Sequence, residues 1–181
     1  GAGIRISGSD AFVDRTIATL DSLDGGQTGH TLIDNLQSNG HNVSIEENNA
    51  AAAAGGGGVC TMTSANGHPS GTSVDMGGGS IQTSDGSGSD SVVNWQPGTN
   101  AQNTDAAGNA HTQPDEALLG HELSHADHNA HGANGSAADH FEAAADQRQF
   151  DLADDAHLDG DGRKAALAVR LGHQIDAVLQ E

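Results

Sequence analysis

The chain has 181 residues, enough for one core, yet only 34% are hydrophobic and 2% aromatic, with 26 glycines, one Trp, three Phe and no Tyr. A large aromatic interior is thereby excluded, and a single domain over residues 1–181 with a small core of Leu, Ile, Val and Ala is the simplest organisation. Six Lys and Arg stand against 25 Asp and Glu, a formal charge of −19, a field that repels nucleic acid and anionic membranes and steers in basic protein partners.

In chain order, Ile4-Arg5-Ile6 alternates as a short strand, and Ser7 to Asp10 makes a turn able to cap a helix. Phe12, Val13, Ile17, Leu20 and Leu23 recur at helical spacing over residues 10–23 and stop at Gly25-Gly26. A second helix is predicted over residues 28–38, with Leu32, Ile33 and Leu36 inward and Asn39-Gly40 as its stop, and then a strand over residues 41–46. Residues 49–90 read as glycine-rich loops with short strands at 59–63, 72–76 and 80–83, and the β-rich Val92-Val93-Asn94-Trp95 makes a firmer strand over Ser91 to Trp95, ended by Pro97-Gly98. Residues 100–111 read as a polar loop. The rest, 113–181, is predicted to be helical and to hold the metal, with helices over 113–131, 137–152 and 163–179. Asp159-Gly160-Asp161-Gly162 resembles the start of a calcium loop but lacks the later ligands, so it reads as an acidic turn.

The chemistry concentrates in His121-Glu122-Leu123-Ser124-His125. Pro114 with Asp115 and Glu116 is a good helix start, and two imidazoles four residues apart then share one helical face, as a single Zn²⁺ requires. Glu122 between them is placed to take a proton from water attacking a peptide bond and to return it to the leaving amine. A catalytic zinc needs a third protein ligand. Glu142 is the leading candidate, because Glu142 to Asp146 matches the E-x-x-x-D spacing of gluzincins. His131 competes, since His121 to His131 fits H-E-x-x-H-x-x-G-x-x-H except that His128 replaces the glycine, and Asp146 is the third choice. With no tyrosine to serve the oxyanion, that role falls to His140, Arg148, Arg170, His173 or the metal alone.

Cys60 has no partner for an internal disulfide and reads as a bystander. No run of about 18 apolar residues and no signal-peptide core occurs, so the sequence predicts neither a membrane span nor the general secretory route. It opens on Gly1-Ala2 without Met, as a trimmed or excised domain would.

The Ile4 to Asp10 opening, the Thr28-Gly29 to Leu36 helix, the Val92 to Trp95 strand, and Gln113-Pro114 leading through Leu118-Leu119-Gly120 to His121-Glu122-Leu123-Ser124-His125-Ala126 resemble the effector-domain metallopeptidases. That family includes the NleD-like effectors delivered by bacterial type III secretion. The resemblance covers most of the chain and is weakest over residues 49–90. It implies an α+β, zincin-like fold in which helices surround a small mixed sheet, and a zinc endopeptidase secreted by a bacterium to act in the host cytoplasm. For NleD-like members it implies a MAP kinase as substrate, and a secretion chaperone or an immunity protein as a further partner. His121 and His125 carry over as ligands and Glu122 as catalytic acid and base, while Glu142 falls where the family has a downstream acid. The other readings are a peptidase toxin domain cut from a larger secreted protein and a non-catalytic metal-binding protein.

Overall fold

The computed structural model describes residues 2–99, 102–104 and 110–135. Strand β1 (Gly3–Ser7) leads into α1 (Asp10–Asp24) and α2 (Gln27–Ser38), and the chain returns as β2 (Asn42–Glu46), parallel to β1 with Ile4 beside Val43 and Ile6 beside Ile45. Helix α1 starts where it does because the Ser9 hydroxyl accepts the Phe12 N–H, and it buries Phe12, Val13, Leu20 and Leu23. Helix α2 buries Leu32, Ile33 and Leu36 on the same side. The expected strand, helix, helix and strand thus form over nearly the expected residues, because each apolar stripe ends at a glycine or asparagine that cannot prolong it.

Residues 49–54, expected to be loop, form a short helix, α3 (Asn49–Ala54), capped by the Asn48 side chain on the Ala51 N–H. A run of alanine needs only that cap to turn helical. Strand β3 (Gly58–Met62) comes next, then a 3-10 turn over Ala65–Gly67, the small hairpin of β4 (Ser73–Asp75) and β5 (Ile81–Thr83), and β6 (Ser91–Trp95). The main sheet has the order β1-β2-β6-β3, with β6 parallel to β2 and β3 antiparallel to β6, so β3 is an edge strand that runs against the other three.

The polar loop expected over residues 100–111 is instead crossed by the antiparallel pair β7 (Gln102–Thr104) and β8 (Ala110–Thr112). No apolar alternation marks this pair, Gln-Asn-Thr against Ala-His-Thr, so the sequence offered no strand signal there. Helix α4 (Asp115–Ala130) then packs under β6 and β3 and against α1 and α2. Trp95, fully buried and tilted against Phe12 with ring centroids 6.2 Å apart, fills the centre with Leu20, Ile33, Leu36, Ile45, Val93, Leu119 and Leu123. The fold is α+β with a small mixed sheet, as expected. Among the described residues no helix is long and apolar enough to cross a membrane. The expected helices over 137–152 and 163–179 and the acidic turn at 159–162 lie outside the described residues.

Candidate active site

Helix α4 is held at both ends, which fixes the residues in its middle. At its start Asp115 accepts from the Arg15 guanidinium at 2.8 Å and from the Gly98 N–H at 2.8 Å. At its end the buried Asn129 side chain donates to Ser91 Oγ at 2.9 Å and accepts from Asn134 at 2.6 Å, and its carbonyl accepts the Ser89 N–H. Gly88, at φ +95°, presses so close that a Cβ there would run into the Ala130 carbonyl. Leu119, Leu123 and Ala126 turn one face of α4 into the core, which leaves His121 and His125 half-buried on a flank.

The two imidazoles meet. His121 Nε2 and His125 Nε2 lie 3.1 Å apart, with the rings edge to face at a centroid distance of 4.6 Å. Two nitrogens bound to one tetrahedral zinc at about 2.0–2.1 Å stand about 3.3 Å apart, so the pair is spaced as one shared ion demands. Among the described residues no third His, Cys, Asp or Glu joins them to make a cage. Glu142 and Asp146 lie outside the described residues, as do His140, Arg148, Arg170 and His173.

His131 does not join the pair. Helix α4 runs straight through His128 and turns only at Gly132, φ +64°, so His131 sits at the helix end, exposed, its Nδ1–H donating to the Asp127 carbonyl at 2.8 Å. The H-x-x-G-x-x-H alternative needed a sharp turn at 128, and a histidine with no ease at positive φ prolongs the helix instead. His128 itself is buried at the end of the helix.

Glu122 is 6% exposed, and its side chain lies under β3. A Cβ at Gly58 would stand 2.9 Å from Glu122 Cγ and 3.1 Å from Oε1, so the glycine makes room for the carboxylate. Burial pushes the Glu122 carboxyl up to about 7. A group that titrates near neutrality exists in both forms at working pH, as an acid that must take and return a proton should.

Cys60 lies in the same packing, its thiol 3.6 Å from Asn129 Nδ2. Burial, then the charge of Glu122, pushes the thiol up to about 12, so it stays protonated and is no nucleophile. Sequence reasoning missed Gly58 and Cys60 because strand pairing, not spacing, brings them to α4; the one available signal was a glycine opening a β-rich segment. A separate hollow of about 450 Å³, lined by Ser9, Phe12, Arg15, Glu47 and Gln96 among others, lies at the carboxyl ends of β1, β2 and β6 and contains none of these groups.

A buried carboxyl that titrates near neutrality, beside paired imidazoles and the strand that ends the sheet among the described residues, is equipment for hydrolysis. The family model Peptidase_M91, described as effector protein, matches residues 1–166, and the chain belongs to this family of effector peptidases. The matched span takes in every described element and Glu142. No curated protein and no solved structure matches the chain.

Proposed function

We propose that the chain is a zinc-dependent endopeptidase of the zincin type, with His121, His125 and Glu142 as metal ligands and Glu122 as general base and acid. The observation that carries this reading is the 3.1 Å approach of the two Nε2 atoms beside the buried Glu122. When bound there, zinc would supply Lewis acidity to the scissile carbonyl and to the attacking water. The protein's own residues do the rest. Glu122 accepts a proton from the water as it adds to the carbonyl carbon, and returns it to the amide nitrogen as the C–N bond breaks. No acyl-enzyme forms, in keeping with the protonated Cys60 thiol. Strand β3, the edge of the sheet next to Glu122, suits an extended peptide that adds by main-chain hydrogen bonds.

On the family's description as effector protein and the resemblance to the NleD-like effectors, the enzyme is secreted by a bacterium and acts in the host cytoplasm on a signalling protein of the MAP kinase kind. A secretion chaperone or an immunity protein is its second partner. Nucleic acid is repelled by the charge of −19.

The test joins elemental analysis with a cleavage assay on host kinases. One zinc per chain is expected after dialysis against a weak chelator, lost in His121→Ala, His125→Ala and Glu142→Ala. Glu122→Gln is expected to keep the zinc and lose at least about 10³-fold in kcat. A Glu122→Gln protein that cleaves at the normal rate rules out the mechanism, and retention of full zinc by Glu142→Ala rules out that ligand.

A further inference from the structure

The hollow at the carboxyl ends of β1, β2 and β6 has room, at about 450 Å³, for a partner's side chain, and the hydrolytic residues do not use it. Phe12, Ala11 and Pro97 give it apolar surface, and Arg15 and Glu47 bring its charges. The two charges are not equivalent. The Arg15 guanidinium is spent on Asp115, with Nε and Nη2 both 2.8 Å from Oδ2, so its charge is answered inside the molecule. Glu47 is exposed and makes no ion pair among the described residues, where Arg5 and Arg15 are the only Lys or Arg. Its carboxylate is fixed in place all the same. Oε2 takes the Ser9 N–H at 2.6 Å, and Gly8 leaves the room, since a Cβ there would stand 2.7 Å from Glu47 Cβ and 2.9 Å from Oε2. The Ser9 N–H holds the carboxyl below the usual carboxylate range, so the group is ionised at neutral pH. A carboxylate held by one oxygen keeps acceptor sites for a guest.

We infer that this hollow is a docking pocket for a lysine or arginine side chain of the protein partner, with the methylene stem on Phe12, Ala11 and Pro97 and the charged head on Glu47. Charge complementarity selects this occupant. A chain of formal charge −19 steers basic partners in, and long basic side chains lay their stems on apolar surface while the head stays among polar groups. An anionic guest would have to draw Arg15 away from Asp115 and lie beside Glu47. The hollow also stands next to the hydrolytic site. Gln96 on its wall donates to the Gly57 carbonyl, one residue before the glycine that makes room for Glu122, and Gly98 donates to Asp115 at the start of α4. That the partner is the substrate rests on the peptidase reading; the pocket itself rests on the geometry of the hollow. A basic residue held there lies outside the stretch along β3, so the hollow is an exosite that raises affinity for the substrate and takes no part in bond cleavage.

The experiment is an amide-shift titration of the full ¹⁵N-labelled chain with Nα-acetyl-L-arginine amide, a single basic side chain with its backbone charges removed. Saturable shifts centred on Ser9 and Gly98 are expected, and none from Nα-acetyl-L-norleucine amide, which has a stem and no charge. Glu47→Gln can still accept the Ser9 N–H through its amide carbonyl but lacks the charge, and it is expected to bind the arginine amide at least about fivefold more weakly. Arg15→Ala removes the neighbouring cation and is expected to bind it as tightly as the wild type or more so. Equal shifts from the norleucine amide, or equal affinity in Glu47→Gln, overturn the pocket, and lost binding in Arg15→Ala overturns the choice of a basic guest. If Glu47→Gln fails to fold, the contrast of the two amides on the wild type decides. In the cleavage assay on host kinases Glu47→Gln is expected to raise KM by about fivefold; a defect confined to kcat overturns the exosite role. The titration needs neither zinc nor turnover, so a chain that cleaves nothing counts against the peptidase reading and leaves the pocket to be judged by its own binding.

Discussion

Two regions of this molecule are ordered by opposite means. The part from β1 through β2, with α1 and α2, is held by aliphatic burial: Ile4, Leu20, Ile33, Leu36, Val43 and Ile45 are all at most 3% exposed. The excursion over residues 63–90 places few large apolar side chains in the core and is held by short polar bonds instead. Ser84 Oγ donates to the His68 carbonyl at 2.6 Å, Ser89 Oγ accepts the N–H groups of Thr63 and Ser64, and Asp90 takes the His41 ring and both the backbone and side-chain N–H of Asn42. The contrast teaches that a chain with 2% aromatic residues can order glycine-rich segments if serine, asparagine and aspartate satisfy the backbone locally. Helix α4 lies where the two regions meet, its start tied to α1 and its end tied to the excursion.

The comparison breaks most visibly in the aliphatic part. Leu20→Ala is expected to cost about 4 kcal/mol, because Leu20 is fully buried and its neighbours cannot all close the void. Chemical denaturation should show it; a loss under about 1 kcal/mol would mean that this part is not the cohesive one.

Next comes the seam at Glu122. Its folded carboxyl titrates at about 7 against an ordinary 4.5, so the native state holds the proton more tightly than the unfolded chain does. Metal-free protein should therefore lose about 3 kcal/mol of stability as pH rises from below 4.5 to above 7. In Glu122→Gln that decline should vanish, and identical pH profiles for the two proteins would refute the assignment.

In the polar region, Asn129→Ala is expected to cost about 2 kcal/mol, because Ser91 and Asn134 each lose a partner in a buried setting. Thermal unfolding would check this, with the added expectation that amides at the end of α4 lose protection before those at its start. The smallest effect belongs to Arg15→Ala. Arg15 is 59% exposed where it meets Asp115, so its loss should cost less than about 1 kcal/mol and fade with added salt. A larger, salt-independent loss would show that the start of α4 depends on this pair.

How far the sequence could be read obeys the same division. Helices α1 and α2 and strand β6 were legible because aliphatic spacing writes burial directly into the chain, and β6 runs from Ser91 to Trp95 as expected. Outside the aliphatic part the elements were legible only in outline: α3 hid in a low-complexity alanine run, and the β7 and β8 pair carries no apolar alternation. At the site, the His121 and His125 pair and Glu122 could be named from a local motif. Gly58 and Cys60 could not, because their place beside Glu122 is made by the pairing of β3 with β6 and the packing of α4 beneath them.

Trp95 gives the protein a property of its own. It is the sole indole in a chain without tyrosine, so near-ultraviolet emission comes from one point at the centre of the sheet. Its side chain is fully buried, and its Nε1 meets no acceptor among the described residues, which places the excited indole in an apolar cage that cannot relax around it. The native spectrum should be strongly blue-shifted and should move to the red as water enters between the sheet and the helices. The molecule thus carries a built-in optical gauge of its own core, with no competing fluorophore.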